Sequence, residues 1–160
     1  TGIAWLALAV FAVLAYFFGK SAKREEEITP EPEVPVDEWI DSALQALEEK
    51  ALWQNGAYKD FHIALSDLTR SYLERKHMIN AHELTTYDLE KVVRSRDFST
   101  EISEKLIQAM RISDLAKFAK AEPLAAENEL ALEALKELVL RDREKEAREA
   151  EIRKEGNDVE

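Results

Sequence analysis

The first nineteen residues, TGIAWLALAVFAVLAYFFG, carry no charged side chain, and Lys20, Lys23 and Arg24 follow at once. A helix over residues 2–19 rises about 27 Å, close to the thickness of a bilayer's hydrocarbon core. Trp5 and Tyr16 fall where the two interfacial belts would lie. A secretory signal peptide has the reverse order, basic residues first and small residues last. A helix buried in a globular core rarely runs this long without a polar face. The pattern predicts one membrane-spanning helix over 1–19, with residues 2–19 in the lipid bilayer. Lys20, Lys23 and Arg24 form its collar and place the rest of the chain on the cytoplasmic side of a bacterial inner membrane. The chain opens on Thr1 rather than Met, so an extracytoplasmic part is expected to precede it.

Residues 20–36 read as the basic collar and a linker, in which Pro30, Pro32 and Pro35 block helix and favour extended backbone. After this, glycine and proline are scarce while Ala, Leu, Glu and Lys abound, which favours helix throughout. The expected fold is all-α: the membrane helix, a small bundle of about five helices over 37–140, and a charged helical tail over 141–160.

The first bundle helix is expected over 38–54, capped by Asp37, with Ile40, Leu44, Leu47 and Ala51 as its apolar stripe and Asn55-Gly56 as its stop. The second covers 57–78, with Phe61, Leu65, Leu68, Tyr72 and Leu73 facing inward. The short break between them implies an antiparallel hairpin. A connection over 79–85 leads to a short helix over 86–95, with Thr85 and Asp88 at capping-box spacing. Ser99 or Thr100 starts a fourth helix to about 121. Its stripe (Ile102, Leu106, Ala109 or Met110, Leu115, Phe118) changes phase near Ile112-Ser113-Asp114, which predicts a kink or break there. The last helix covers 124–154. Beyond Leu140 it is charged on almost every face, with i, i+4 pairs that suit a solvated helix.

The net charge of −11 argues against nucleic acid as a partner. With no cysteine, the chain has no disulfide, thiol nucleophile or cysteine metal site. It has no phosphate-binding glycine loop, nucleophile elbow or H-E-x-x-H pair. No cofactor, metal or catalytic site is expected. His62, His77 and His82 read as ordinary surface or partly buried histidines. Arg70 borders the core face of the second helix. A guanidinium there calls for a carboxylate, and Glu83 or Asp114 is the expected partner in a structural polar cluster.

Three separated motifs then carry a resemblance. They are L-x-x-L-T-R-S-Y-L-E-R-K-H, A-H-E-L-T-T-Y-D-L, and S-D-L-A-K-F-A-K-A-E-P with E-N-E after it. In this order, across about 37–140 and behind a membrane helix, they resemble the cytoplasmic C-terminal region of BatD-like membrane proteins. These are encoded beside MoxR-type AAA+ ATPases in aerotolerance gene clusters. Arg70, Tyr72, Leu73 and Glu74 match the first motif. Ala81, Glu83, Thr85 and Thr86 match the second. Asp114, Lys117, Phe118, Ala119 and Pro123 match the third, with Glu127, Asn128 and Glu129 following. The charged tail after Leu140 departs from the family.

The resemblance implies a single-pass scaffold or adaptor rather than an enzyme. Its expected partners are a MoxR-type AAA+ ATPase and von Willebrand A-domain Bat membrane proteins. The candidate contact residues are Glu74, His82, Glu83, Thr86, Asp88 and Lys117. Two other readings compete: an anti-sigma-like membrane regulator, and a membrane enzyme using His77, His82 and Glu83.

Overall fold

The structure, a computed structural model, describes residues 34–157, with side chains to Glu155. The apolar run 2–19, the collar Lys20, Lys23 and Arg24, and the linker up to residue 33 lie outside the described residues. Among the described residues no helix is long and apolar enough to cross a membrane.

From Pro35 onward the chain is one unit, and every regular element described in it is helical. The helices are α1 (Val36–Glu49), α2 (Tyr58–His77), α3 (Thr86–Ser95), α4 (Thr100–Phe118) and α5 (Ala125–Asn157), with a 3₁₀ turn at Ala81–Glu83 between α2 and α3. The all-α expectation holds for the described residues. The long charged helix is itself the fifth member of the bundle rather than an addition to it.

α4 is the centre, packing on α2, α3 and α5, while α1 lies on α2. The stripes meet as their spacing requires. Ile40, Leu44 and Leu47 of α1 and Phe61, Leu65, Tyr72 and Leu73 of α2 are buried. Leu89 and Val93 of α3 join them, with Leu135, Leu138 and Val139 of α5. Each such side chain contributes roughly 1.5–3 kcal/mol of hydrophobic stabilisation.

Four local expectations need correction. The first concerns the start of α1. Pro35 holds the N-cap position, and its carbonyl accepts from the Trp39 N–H at 3.0 Å. Asp37 is therefore inside the first turn. Its carboxylate meets Lys76 at 3.3 Å and Arg143 at 3.7 Å.

The second concerns the end of α1, which stops at Glu49 rather than near 54. Ala51 turns left-handed at φ 44° so that Leu52 and Trp53 can fold back on the core, and Gly56 at φ 79° completes the reversal.

The third concerns α4, which runs unbroken through Ile112-Ser113-Asp114. The change of phase arises because α4 is buried on more than one side: Ile107, Met110, Ile112 and Ser113 are all covered.

The fourth concerns Leu115 and Phe118. They leave the expected stripe and are 56% and 79% exposed.

No element boundary falls at Leu140. Tyr72 donates to Asp142 at 2.8 Å, Lys76 pairs with Glu146 at 2.7 Å and Lys145 with Asp97 at 2.9 Å. The first charged turns of the tail are thereby part of the bundle.

Candidate functional site

The connection between α2 and α3 is fastened by two side chains one helical turn apart on α2. Met78 ends α2 in the left-handed region at φ 55°, and the buried Ile79 and Ala81 then pin the chain to the bundle. This aims the carbonyls of the 3₁₀ turn back at α2. Arg70 Nη1 donates to the carbonyls of Ala81 and Leu84, the latter at 2.8 Å, and Nη2 donates to Thr86 Oγ1 at 3.4 Å. Glu74 holds the other side. Its Oε1 accepts from the His82 backbone N–H at 2.9 Å, and its Oε2 meets His82 Nδ1 at 3.0 Å. The backbone bond from His82 keeps the Glu74 carboxyl below its ordinary range. A cation thus satisfies the carbonyls of the turn, and an anion satisfies its N–H.

This corrects the expected pairing of Arg70 with Glu83 or Asp114. Among the described residues Arg70 has no ion pair, and Glu83 points into solvent. Asp114 is near enough, with Asp67 and Glu74, to oppose the burial that pushes the Arg70 guanidinium down. The planar fork of donors reaches divergent carbonyls that a single carboxylate could not replace.

What the clamp presents is small and polar, with one aromatic. His82 and Glu83 face outward, and Tyr87 is 67% exposed with Lys91 Nζ 4.0 Å above its ring. Thr85 caps α3 by accepting from the Asp88 N–H at 3.1 Å, and its hydroxyl donates to Asp88 Oδ2 at 2.7 Å. Asp88 also lies 3.7 Å from Lys91. Of the six expected contact residues, Glu74, His82, Glu83, Thr86 and Asp88 therefore gather around one turn. Lys117 belongs elsewhere, between α4 and α2, where it donates to Ser66 Oγ at 3.1 Å.

His77 and His82 do not share a ligand site. His77 Nε2 bonds Asp142 at 2.8 Å with Phe98 against its ring at 4.7 Å, whereas His82 is held by Glu74. Among the described residues no group of three His, Asp or Glu side chains converges as metal ligands would.

The sequence reading missed His62. It is fully buried, between Ser113 Oγ at 3.1 Å from Nδ1 and Asn128 Oδ1 at 2.9 Å from Nε2. The tautomer follows from Asn128, whose amide nitrogen donates to the carbonyls of Pro123 and Leu124 at 3.0 and 2.9 Å. Its oxygen must therefore accept, so Nε2 carries the proton and Nδ1 accepts from the Ser113 hydroxyl. The trio has the order of nucleophile, base and orienting group. All three residues are covered, and together they lock α2, α4 and the start of α5 to one another. A signal for it was present: extending the α5 stripe of Leu135 and Ala131 one step back lands on Asn128.

Burial lowers the His62 pKa below 6.5, against the raising effects of Asn128 and Glu127. The unfolded chain therefore binds the proton first. Stability contributed by neutral His62 is fully present well above pH 6.5 and is lost as the pH falls through 6.5 towards the folded value. The difference in unfolding free energy between the natural chain and His62→Gln should accordingly narrow from pH 7.5 to pH 5. Denaturant melts at several pH values measure it. A gap that stays constant or widens would mean that His62 is not buried neutral.

Comparison with protein-family models, with curated proteins and with solved structures finds no match for this chain.

Proposed function

We propose that this chain is a membrane-anchored helical adaptor that docks protein partners through the clamped turn between α2 and α3. Residues 2–19 are its single membrane helix, and the basic collar Lys20, Lys23 and Arg24 puts the bundle on the cytoplasmic side of a bacterial inner membrane. Its partners are a MoxR-type AAA+ ATPase and von Willebrand A-domain Bat membrane proteins, as the three sequence motifs imply. The carrying observation is the Arg70–Glu74 clamp. Two charged side chains of α2 fix this one turn, on which His82, Glu83 and Tyr87 are exposed. A rigid surface turn loses little entropy on binding, which favours recognition. Glu83 and Asp88 suit a basic patch on the partner, with salt-sensitive association.

Reversing Glu83 and Asp88 to lysine together should lower recovery of the ATPase or the A-domain protein from gently solubilised membranes by about tenfold. Helical content by circular dichroism should be unchanged. Normal recovery of every partner with the folded double variant would remove this turn from consideration.

A further inference from the structure

The cover over His62 is thin on one side. Within α2 the Phe61 ring lies 5.0 Å away, and Ser113 of α4 closes the Nδ1 side. Asn128, in the first turn of α5, closes the Nε2 side. Across residues 119–130, Pro123 and Asn128 are the buried ones, Ala121 and Leu130 are half-buried, and the others are exposed. Sustained burial of α5 begins at Ala131 and Leu132 and continues with Ala134 and Leu135. Lifting the α4–α5 connection and the first turn of α5 therefore gives up little apolar contact. It also releases strain, because Lys120 holds φ at 54°, where a residue with a Cβ is disfavoured. What keeps the segment down is polar. Asn128 donates to the Pro123 and Leu124 carbonyls, Glu127 accepts from the Leu124 N–H at 2.7 Å, and the Ala121 N–H donates to the Leu115 carbonyl at 3.2 Å.

Closed and lifted states receive a second ring proton differently. Nε2–H is given to Asn128, so the added proton goes to Nδ1, where it meets the hydroxyl hydrogen of Ser113. The hydroxyl must turn away, and the covered ring carries its charge without solvation. Burial accordingly lowers the His62 pKa. Glu127, on the turn that would lift, is the neighbouring charge that favours the proton. On α4, Asp114 acts on Arg70 and Lys117 donates to Ser66 Oγ. On α2, Lys59 and Asp60 are exposed a turn before His62, and on α5 Glu129 is exposed. Lifting the first turn of α5 hydrates the ring and restores an ordinary imidazole. The lifted form thus takes the proton first, and acid favours it.

We propose that His62 is an acid-operated latch, whose protonation lifts the α4–α5 connection and the first turn of α5 while the other helices stay packed. The latch lies apart from the clamped turn and does not depend on the adaptor reading.

The test is deuterium exchange of the full chain in phosphatidylcholine nanodiscs at pH 7.5 and pH 5.5, with rates corrected for the intrinsic pH dependence of amide exchange. A lifted state that titrates near 6.5 gains up to about tenfold in population over that interval. The amides of Ala121 and of residues 127–131 should therefore lose protection by about three- to tenfold. Those of Leu65 to Leu73 in α2, and those of α3, should change by less than about twofold. His62→Gln cannot take the second proton and should abolish the pH-dependent loss. If His62→Gln does not fold, the ring signal of His62 in the natural chain decides by NMR titration, and it should titrate below about 6.5. Equal loss of protection in every helix, no loss at Ala121 and 127–131, a loss that persists in His62→Gln, or a ring that titrates at or above about 6.5 would each overturn the proposal.

Discussion

Asn128→Ala should lower the unfolding free energy by about 3–5 kcal/mol, the largest effect expected of any single change considered. The side chain is fully buried and makes three hydrogen bonds, to His62 and to the carbonyls of Pro123 and Leu124. Truncation leaves a buried imidazole N–H and the Pro123 carbonyl without partners, at about 1–3 kcal/mol each, while the Leu124 carbonyl keeps the backbone N–H groups of residues 127 and 128. It also frees the α4–α5 connection, which nothing else described here ties to His62. Asn128→Asp separates the roles. An aspartate can still accept from His62 but cannot donate to either carbonyl. It should remain destabilised while raising the His62 pKa, which NMR titration of the ring would register. Urea melts of the full chain, followed by far-ultraviolet circular dichroism, give the free energies. A loss for Asn128→Ala below about 0.5 kcal/mol would mean that the lock contributes nothing beyond an ordinary surface contact.

Arg70→Ala should cost about 2–3 kcal/mol, the range for hydrogen bonds made by a charged donor. Arg70→Lys should recover less than half of that. An ammonium is a point donor and cannot reach the Ala81 and Leu84 carbonyls and the Thr86 hydroxyl together. The amides of residues 82–88 should exchange faster in Arg70→Ala than in the natural chain, because the turn loses its anchor while the remainder of α2 keeps its packing. Unchanged exchange across that turn, with an unchanged melting midpoint, would show that the clamp does not hold it.

Much of the local structure was legible because it depends on neighbours in sequence. The 3- and 4-residue spacing of Phe61, Leu65, Leu68 and Tyr72 marks α2 whatever lies against it. Thr85 and Ser99 cap α3 and α4 through N–H groups three residues on, so their roles are visible in the sequence alone. The short break expected at Asn55-Gly56 implies the α1–α2 reversal, although α1 ends five residues before the expected 54. That five of the six candidate contact residues lie together also follows locally, since they sit within the fifteen positions 74–88, around one turn.

The rest depended on which faces meet. Asp37 has the composition of a cap, but the bundle brings Lys76 and Arg143 to it, and Pro35 takes the end of the helix. Arg70 was legible as a cation at the edge of the core, and a carboxylate was the partner expected for it. That its partners are carbonyls of a turn eleven and fourteen residues away, rather than a carboxylate, depends on how Met78 redirects the chain. The kink expected in α4 is absent because a helix covered on several sides shows no single stripe. His62, Ser113 and Asn128 meet across separations of 51 and 66 residues. The sequence by itself determined that this region is helical and where most of its helices begin, because caps, stops and apolar spacing act within a turn or two of chain. Only the tertiary structure decided that a histidine, a serine and an asparagine share one buried cluster, because a polar side chain's partner is set by the helix that packs over it.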